Sequence, residues 1–360
     1  MKIGILTFHD ALNCGAVLQA FALQVYLESL GYEIEFINYS CRPSFSLKRI
    51  VGKTLSNTKA KIIDFVNATV YGLDKTYNQI LNVSSRKYNQ ATIGYTNSDY
   101  DLFIVGSDQV WNFIHSLVPP YLLDFVHAGK KKIAYAVSMG QCSVPAELHI
   151  ELKKKLESFS AISCRENNAV EFLNKLLGHP SFVCQCVDPT LLITRSHYHE
   201  IAMKPKGVGY ITSYILNSLS LSQRNMLESY CSKRGLQLIN LRNPDTCVKL
   251  SFAKNMIVRP TEWLGYIQNS DAVICGSFHA TVFSLIFHKP FIVIESEDVY
   301  NSGGNQRIRS LLRPLGLEYR CMCTGDMDAI IERPVDWKYI DERIESMRAK
   351  SQDFLNNSLS

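Results

Sequence analysis

The sequence predicts an α/β protein made of two doubly wound, Rossmann-like domains facing each other across a hinge. Three observations predict it. Short apolar runs alternate with amphipathic stretches along nearly the whole chain, the order that parallel sheets with crossover helices require. The 360 residues suit about two domains. Hydrophobic residues are 46% of the chain and charged residues 20%, enough for a sizeable core in each domain, which excludes disorder and fibrous repeats.

The elements follow in order. Lys2-Ile-Gly-Ile-Leu6 opens a strand at 2–7. A helix over 16–30 follows Asn13-Cys-Gly15 and stops at Gly31, and a strand at Glu33–Asn38 completes a βαβ unit. Residues 41–95 interrupt the rhythm as a basic insertion of one or two helices, with no acid between Glu35 and Asp64. Strands are then expected at 101–105, 132–138, 160–164 and 182–187, with helices near 146–157 and 167–177. After a connection near 190–205, strands near 207–214, 236–240, 271–275 and 290–294 alternate with helices near 219–233, 261–269, 278–288 and 305–315. A polar helix over 338–357 ends the chain. This divides the chain into an N-terminal domain 1–195, a C-terminal domain 196–335, and a terminal helix 336–360 that packs back on the first domain.

The formal charge of +5 is mild for this length, compatible with phosphate-bearing ligands and not with a nucleic-acid binder. The 11 cysteines form no Cys-x-x-Cys pair, and many sit in apolar runs such as Asp271-Ala-Val-Ile-Cys275. They read as small buried side chains in a reducing compartment. The N-terminus opens on a strand rather than on a basic region and apolar core, and no apolar run is long enough to span a bilayer. A cytoplasmic protein is expected, with contact at the inner membrane face left open.

Parallel sheets place ligands beyond the carboxyl ends of their strands, so the loops there carry the candidates. In Asp271-Ala-Val-Ile-Cys-Gly-Ser277-Phe278-His279, a strand ends, Gly276 and Ser277 turn the chain, and Ser277 caps a helix. The first N–H groups of that helix can hold a phosphate or carboxylate, and His279 stands beside them as a proton donor. A capped histidine without chemistry fits the same spacing. Phe103-Ile-Val-Gly-Ser107-Asp108-Gln109-Val-Trp111-Asn112 offers polar edges and a flat apolar face, a mixture suited to a sugar. Asn13 and Gly15 let the chain turn close to a ligand, although Gly-x-Gly-x-x-Gly is absent and NAD is disfavoured. Arg165, at a strand end, and Arg307 with Arg309, opening a late helix, have the guanidinium geometry that binds carboxylate or phosphate. Surface ion pairs are the commoner meaning of such isolated arginines. Asp326-Met-Asp328 matches a metal-binding pattern but reads as a helix cap, and His197 with His199 reads as a solvated pair in a polar connection. No metal site is expected.

Taken together, Ile3–Phe8 with Asn13–Ala20, Phe103–Asn112, Tyr135–Gly140, Ile162–Glu166, Val187–Leu192, Ser277–Ser284 and Gln306-Arg-Ile308 resemble, in order, the polysaccharide pyruvyltransferase family over most of the chain. The resemblance implies two Rossmann-like domains of the GT-B type with phosphoenolpyruvate in the cleft and no nucleotide cofactor. It implies a pyruvyl group moved onto two hydroxyls of a hexose as a cyclic ketal, in bacterial capsular or exopolysaccharide biosynthesis. His279 and Asp108 are then the catalytic candidates. Arg165, Ser277, Phe278, His279 and Arg307 are the phosphoenolpyruvate-binding ones, and Asn13, Gly15, Ser107, Gln109, Trp111 and Asn112 the acceptor-binding ones. The first domain becomes the acceptor side and the second the phosphoenolpyruvate side. The basic run 42–61 is the one hint of a polyprenyl-diphosphate carrier or a membrane surface, and a solvated face explains it as well. Two other functions fit the same architecture: a glycosyltransferase using a nucleotide sugar, and a carbohydrate-binding protein without catalysis.

Overall fold

A computed structural model describes residues 1–9, 13–39, 79–114, 116–242, 249–297 and 302–360. The chain forms two six-stranded sheets, every described strand pairing parallel to its neighbours. The first contains β1 (Lys2–Leu6), β2 (Glu33–Phe36), β3 (Leu102–Val105), β4 (Lys132–Val137), β5 (Ala161–Cys164) and β6 (Val183–Gln185), in the order β2-β1-β3-β4-β5-β6. The second contains β7 (Tyr210–Ile215), β8 (Gln237–Arg242), β9 (Lys254–Ile257), β10 (Ala272–Gly276), β11 (Phe291–Ile294) and β12 (Cys321–Met322), in the order β12-β11-β10-β7-β8-β9. Central strands such as Leu-Phe-Ile-Val in β3 are apolar at every position because helices cover both faces.

The helices are α1 (Cys14–Ser29), α2 (His149–Leu156), α3 (Asn167–Leu177), α4 (Arg195–Ile201), α5 (Leu221–Arg234), α6 (Pro260–Asn269), α7 (Phe278–Ile286), α8 (Ser302–Leu312), α9 (Met327–Ile331) and α10 (Trp337–Leu359). Sequence chemistry explains their ends. Ser220 and Gln223 form a reciprocal capping box on α5, and Gly235, in the left-handed region at φ 61, ends it. Ser277 caps α7 by accepting the Ala280 N–H at 3.1 Å. Asp326 caps α9 through the Ala329 N–H, which accounts for its place in Asp-x-Asp.

Three elements depart from the sequence expectation. β9 is a half-exposed Lys-Asn-Met-Ile edge strand without the apolar run that marks a strand. β12 has only two residues. The stretch around His197 and His199, expected as an irregular connection, is the helix α4, anchored by fully buried Tyr198, whose hydroxyl donates to the Thr190 carbonyl. His199 remains exposed there. Of the insertion expected at 41–95, residues 41–78 lie outside the described residues, as does the basic run 42–61. Its end returns to the sheet through single bridges, Phe36 with Val83 and Tyr39 with Tyr88.

One apolar cluster runs from the first sheet into the second, joining Ile3 and Val17 to Tyr198, Trp263, Phe283 and Leu355. Tyr198 and Phe283 meet edge to face with centroids 4.9 Å apart, and Trp263 packs on Phe283 in the same way at 5.4 Å. Separate clusters fill the outer face of each sheet. α10 crosses between the two halves. Its Trp337 stacks on His288 beside α7, while Phe354 packs on Tyr135 of β4 and the Ser351 hydroxyl accepts the Val187 N–H at 2.9 Å. The described cysteines are free thiols, and Cys14, Cys164, Cys186, Cys231 and Cys275 are buried like small apolar side chains. No helix of the described residues is long and apolar enough to cross a membrane.

Candidate active site

Each sheet reverses its strand order once, and both reversals carry predicted site residues. In the first sheet the reversal lies between β1 and β3, whose carboxyl ends lead to Asn13–Gly15 and to Gly106–Asn112. In the second it lies between β7 and β10, and β10 leads to Ser277–His279. At such a reversal the outgoing connections diverge to opposite faces and leave a crevice between them.

The loops interlock across the two sheets. Asn13 caps α1, its Oδ1 accepting the Gly15 N–H at 3.0 Å and the Tyr214 hydroxyl at 3.3 Å. Gly15 lies against the imidazole from the other sheet: a Cβ there would stand 2.3 Å from His279 Nδ1. On its other side, His279 Nε2 lies 3.6 Å from Asp188 Oδ2. That separation exceeds a hydrogen bond, and Nε2 has no hydrogen-bond partner among the described residues.

Arg165 reaches the same carboxylate. Its Nη1 donates to Asp188 Oδ2 at 2.7 Å and its Nε to Glu166 Oε1 at 3.2 Å. Its Nη2 lies 4.0 Å from Asp108 Oδ1 and makes no hydrogen bond among the described residues. The guanidinium covers the Phe278 ring, 4.1 Å from the centroid. Burial alone would raise the Asp188 carboxyl, but His279, Arg165 and Thr190 outweigh it and hold the group well below the ordinary carboxylate range. Burial would likewise lower Arg165, and Glu166, Asp188 and Asp108 outweigh it and raise the group.

Arg307 approaches from α8. With the Gln109 amide turned so that its oxygen faces the guanidinium, Gln109 accepts from Nη1 at 2.9 Å and from Nη2 at 3.2 Å. Burial first, and the neighbouring Arg165 charge next, lower Arg307 to about 10. Two guanidiniums among three carboxylates (Asp108, Glu166 and Asp188) leave one negative charge in excess when His279 is neutral.

Several expectations need correction. Trp111 presents no face to a sugar. It is fully buried, packed edge to face on Phe159, with Nε1 donating to the Tyr121 carbonyl at 2.8 Å. A large apolar ring next to the core gains more from burial than from lining a wet cleft. Ser107 is also fully buried, its hydroxyl donating to the Ala136 carbonyl at 2.5 Å. Arg309 does not close over an anion in this arrangement. It forms a two-point ion pair with Glu295, at 2.6 and 2.7 Å. The Asp108 carboxylate accepts the Gln109 N–H at 2.9 Å. Gln109 is half-buried and Asn112 exposed. Asp188 and Glu166 join the site although sequence reasoning does not mark them as candidates. The signal for Asp188 is an acid directly after an apolar strand in Asp-Pro-Thr, where it caps a short turn by accepting the Thr190 N–H at 3.1 Å.

Two parallel, doubly wound sheets whose reversal points meet face to face define a two-domain α/β protein of the GT-B type. The family model described as polysaccharide pyruvyl transferase matches residues 13–298, and the chain belongs to that family. It is a transferase family, and membership places the chain with pyruvyl transfer in polysaccharide biosynthesis. Among solved structures, the chain is similar to the glycosyltransferase SnogD from Streptomyces nogalater (11% identity over 98% of this chain and 95% of that one, TM-score 0.45). It is also similar to the UDP-GlcNAc 2-epimerase of Methanocaldococcus jannaschii (11% identity, 97% and 93%, TM-score 0.48). No curated protein sequence matches it.

Proposed function

We propose that the chain transfers the pyruvyl group of phosphoenolpyruvate to two hydroxyls of one hexose unit, forming a cyclic ketal and releasing phosphate. The observation that supports this most is the convergence of His279, from the second sheet, with Arg165, Asp188 and Asp108, from the first, where both sheets reverse. The reaction asks for that set. A proton adds to the methylene carbon of phosphoenolpyruvate and leaves the adjacent carbon cationic. One sugar hydroxyl bonds to that carbon, the bond to the phosphate oxygen breaks, and the second hydroxyl closes the ring. Of the two hydroxyl protons, one balances the new methyl group and the other leaves with phosphate.

His279 supplies the proton or protonates the departing phosphate, held in orientation between Gly15 and Asp188. The first N–H groups of α7, at Phe278 and His279, have no carbonyl one turn earlier and take anionic oxygens, as does Nη2 of Arg165. Arg307 adds positive charge nearby. Asp108 orients the acceptor or accepts a hydroxyl proton, with Asn13, Gln109 and Asn112 around it. We assign no resident cofactor and no metal. The acceptor is a sugar of a surface polysaccharide such as a capsule, carried on a polyprenyl diphosphate at the inner membrane face.

The test is phosphate release from phosphoenolpyruvate over a panel of lipid-linked and aryl hexosides, with mass spectrometry for one added pyruvyl ketal. Replacement of His279 by Ala should lower the rate on the order of 10²–10⁴-fold. A folded H279A protein within threefold of the native rate would remove the imidazole from this role.

A further inference from the structure

Behind the layer of Arg165 and Phe278 lies a cavity of about 300 Å³ that neither His279 nor Asp108 lines. Two helices face each other across it. α8 and the turn after it present Arg307, Ser310, Leu311 and Pro314, and α10 presents Arg343, Met347, Lys350 and Ser351. Both sets follow a helix's three- and four-residue spacing, so each is one continuous stripe turned to the same space. The end of β6 and the loop to Asp188 and Leu191 form the floor.

The lining chemistry is one-sided. Arg165, Arg307, Arg343 and Lys350 contribute cationic groups, and Asp188 is the only acid among the described lining residues. Asp188 is already taken by Arg165 and by the Thr190 hydroxyl at 2.7 Å, so its charge is spent within the wall. Arg343 donates to the Pro314 carbonyl, which holds it at the rim, and Lys350 makes no ion pair among the described residues. The volume suits one small ligand rather than a sugar nucleotide. A compact anion bearing a doubly charged phosphoryl group would meet several cations at once, and Ser310 adds a hydroxyl donor.

We infer that this cavity is a second anion site, for a small phosphate-bearing ligand, back to back with the catalytic cleft and joined to it through Arg165 and Arg307. The inference stands on the cavity and its lining and not on pyruvyl transfer. Free orthophosphate, the leaving group of the proposed reaction, and the phosphoryl group of phosphoenolpyruvate share the chemistry it recognises.

The experiment titrates inorganic phosphate calorimetrically into the whole protein, into an R343A/K350A double variant and into H279A. The double variant changes two exposed rim side chains, and its circular dichroism and melting temperature report that it is folded. The expected result is binding to the native protein, at least tenfold weaker binding to the double variant, and native binding to H279A. Titration of phosphoenolpyruvate in parallel separates the sources. An equal tenfold loss for it makes the cavity part of the donor site and overturns the inference of a second one, and an unchanged value assigns the cavity to free phosphate. Absence of phosphate binding to the native protein, or binding that H279A abolishes while the double variant keeps it, overturns the inference. Neither outcome depends on a sugar acceptor, so failure of ketal formation in the transfer assay is read separately.

Discussion

At the scale of single residues, the candidate site turns on one missing carbon atom. A Cβ on Gly15 would lie 2.3 Å from His279 Nδ1, well inside van der Waals contact, and both residues are buried. Gly15→Ala should therefore push the imidazole off Asp188. The expected cost is on the order of 10²-fold in transfer rate, the effect of misplacing a catalytic group by about 1 Å. Steady-state kinetics beside a circular dichroism spectrum checks it, and a folded variant with native turnover would contradict it. Asp188→Asn removes the carboxylate that Arg165 and His279 share. It should lower stability by about 3 kcal/mol, read from urea unfolding, because it leaves a buried guanidinium short of a counter-ion. The same carboxylate predicts a pH dependence. Its pKa in the folded state is below the unfolded value of 3.8, so its stabilisation is complete above that pH. It is lost as pH falls toward the folded value, and the slope below pH 3.8 should flatten in Asp188→Asn. His279 and Arg165 were legible because each follows an apolar strand at a turn. Asp188 and Glu166 were not, because their importance comes from neighbours distant in the chain. Trp111 was misread because an aromatic ring at the end of a strand has the same sequence pattern whether it lines a cleft or fills a core.

At the scale of elements, legibility follows burial. β1, β3, β4 and β10 are apolar runs with turn residues after them, and periodicity locates them within a residue or two. β9 and α4 escaped because an edge strand and a short helix with a single buried residue satisfy themselves with water, leaving no apolar pattern to read. α10 was legible as a polar helix, and its stripe Ile340, Ile344, Ser351, Leu355 and Leu359 shows what it covers. Leu355 is fully enclosed in the cluster that spans both sheets. Leu355→Ala should cost about 3 kcal/mol by lost transfer energy and residual cavity, whereas Asp353→Ala, two residues away on the exposed face, should stay within about 0.5 kcal/mol. Equal urea midpoints for the two variants would mean that the terminal helix does not staple the halves together.

At the scale of the whole molecule, the two-domain architecture was legible from the alternation of elements, but the way the domains join was not. Periodicity marks which face of a helix is buried and says nothing about which sheet buries it. Thus Val17 of α1 and Phe283 of α7 read as cores of separate domains and belong to one cluster. That joint core has a thermodynamic consequence. The halves should unfold in one calorimetric transition, because exposing either strips apolar cover from the other. A ligand held by groups from both halves then stabilises that single transition through mass action. At about 100 times its dissociation constant, the gain is about 2.7 kcal/mol, on the order of a 3–5 °C rise in melting temperature. Phosphoenolpyruvate should produce this rise and a nucleotide sugar should not, since Nη2 of Arg165, which makes no hydrogen bond among the described residues, offers a donor to a compact carboxylate or phosphate. A rise with the nucleotide sugar alone would shift the function to glycosyl transfer. Two resolved transitions, with only one moved by phosphoenolpyruvate, would place the ligand within a single domain and dissolve the shared site on which the pyruvyl-transfer reading depends.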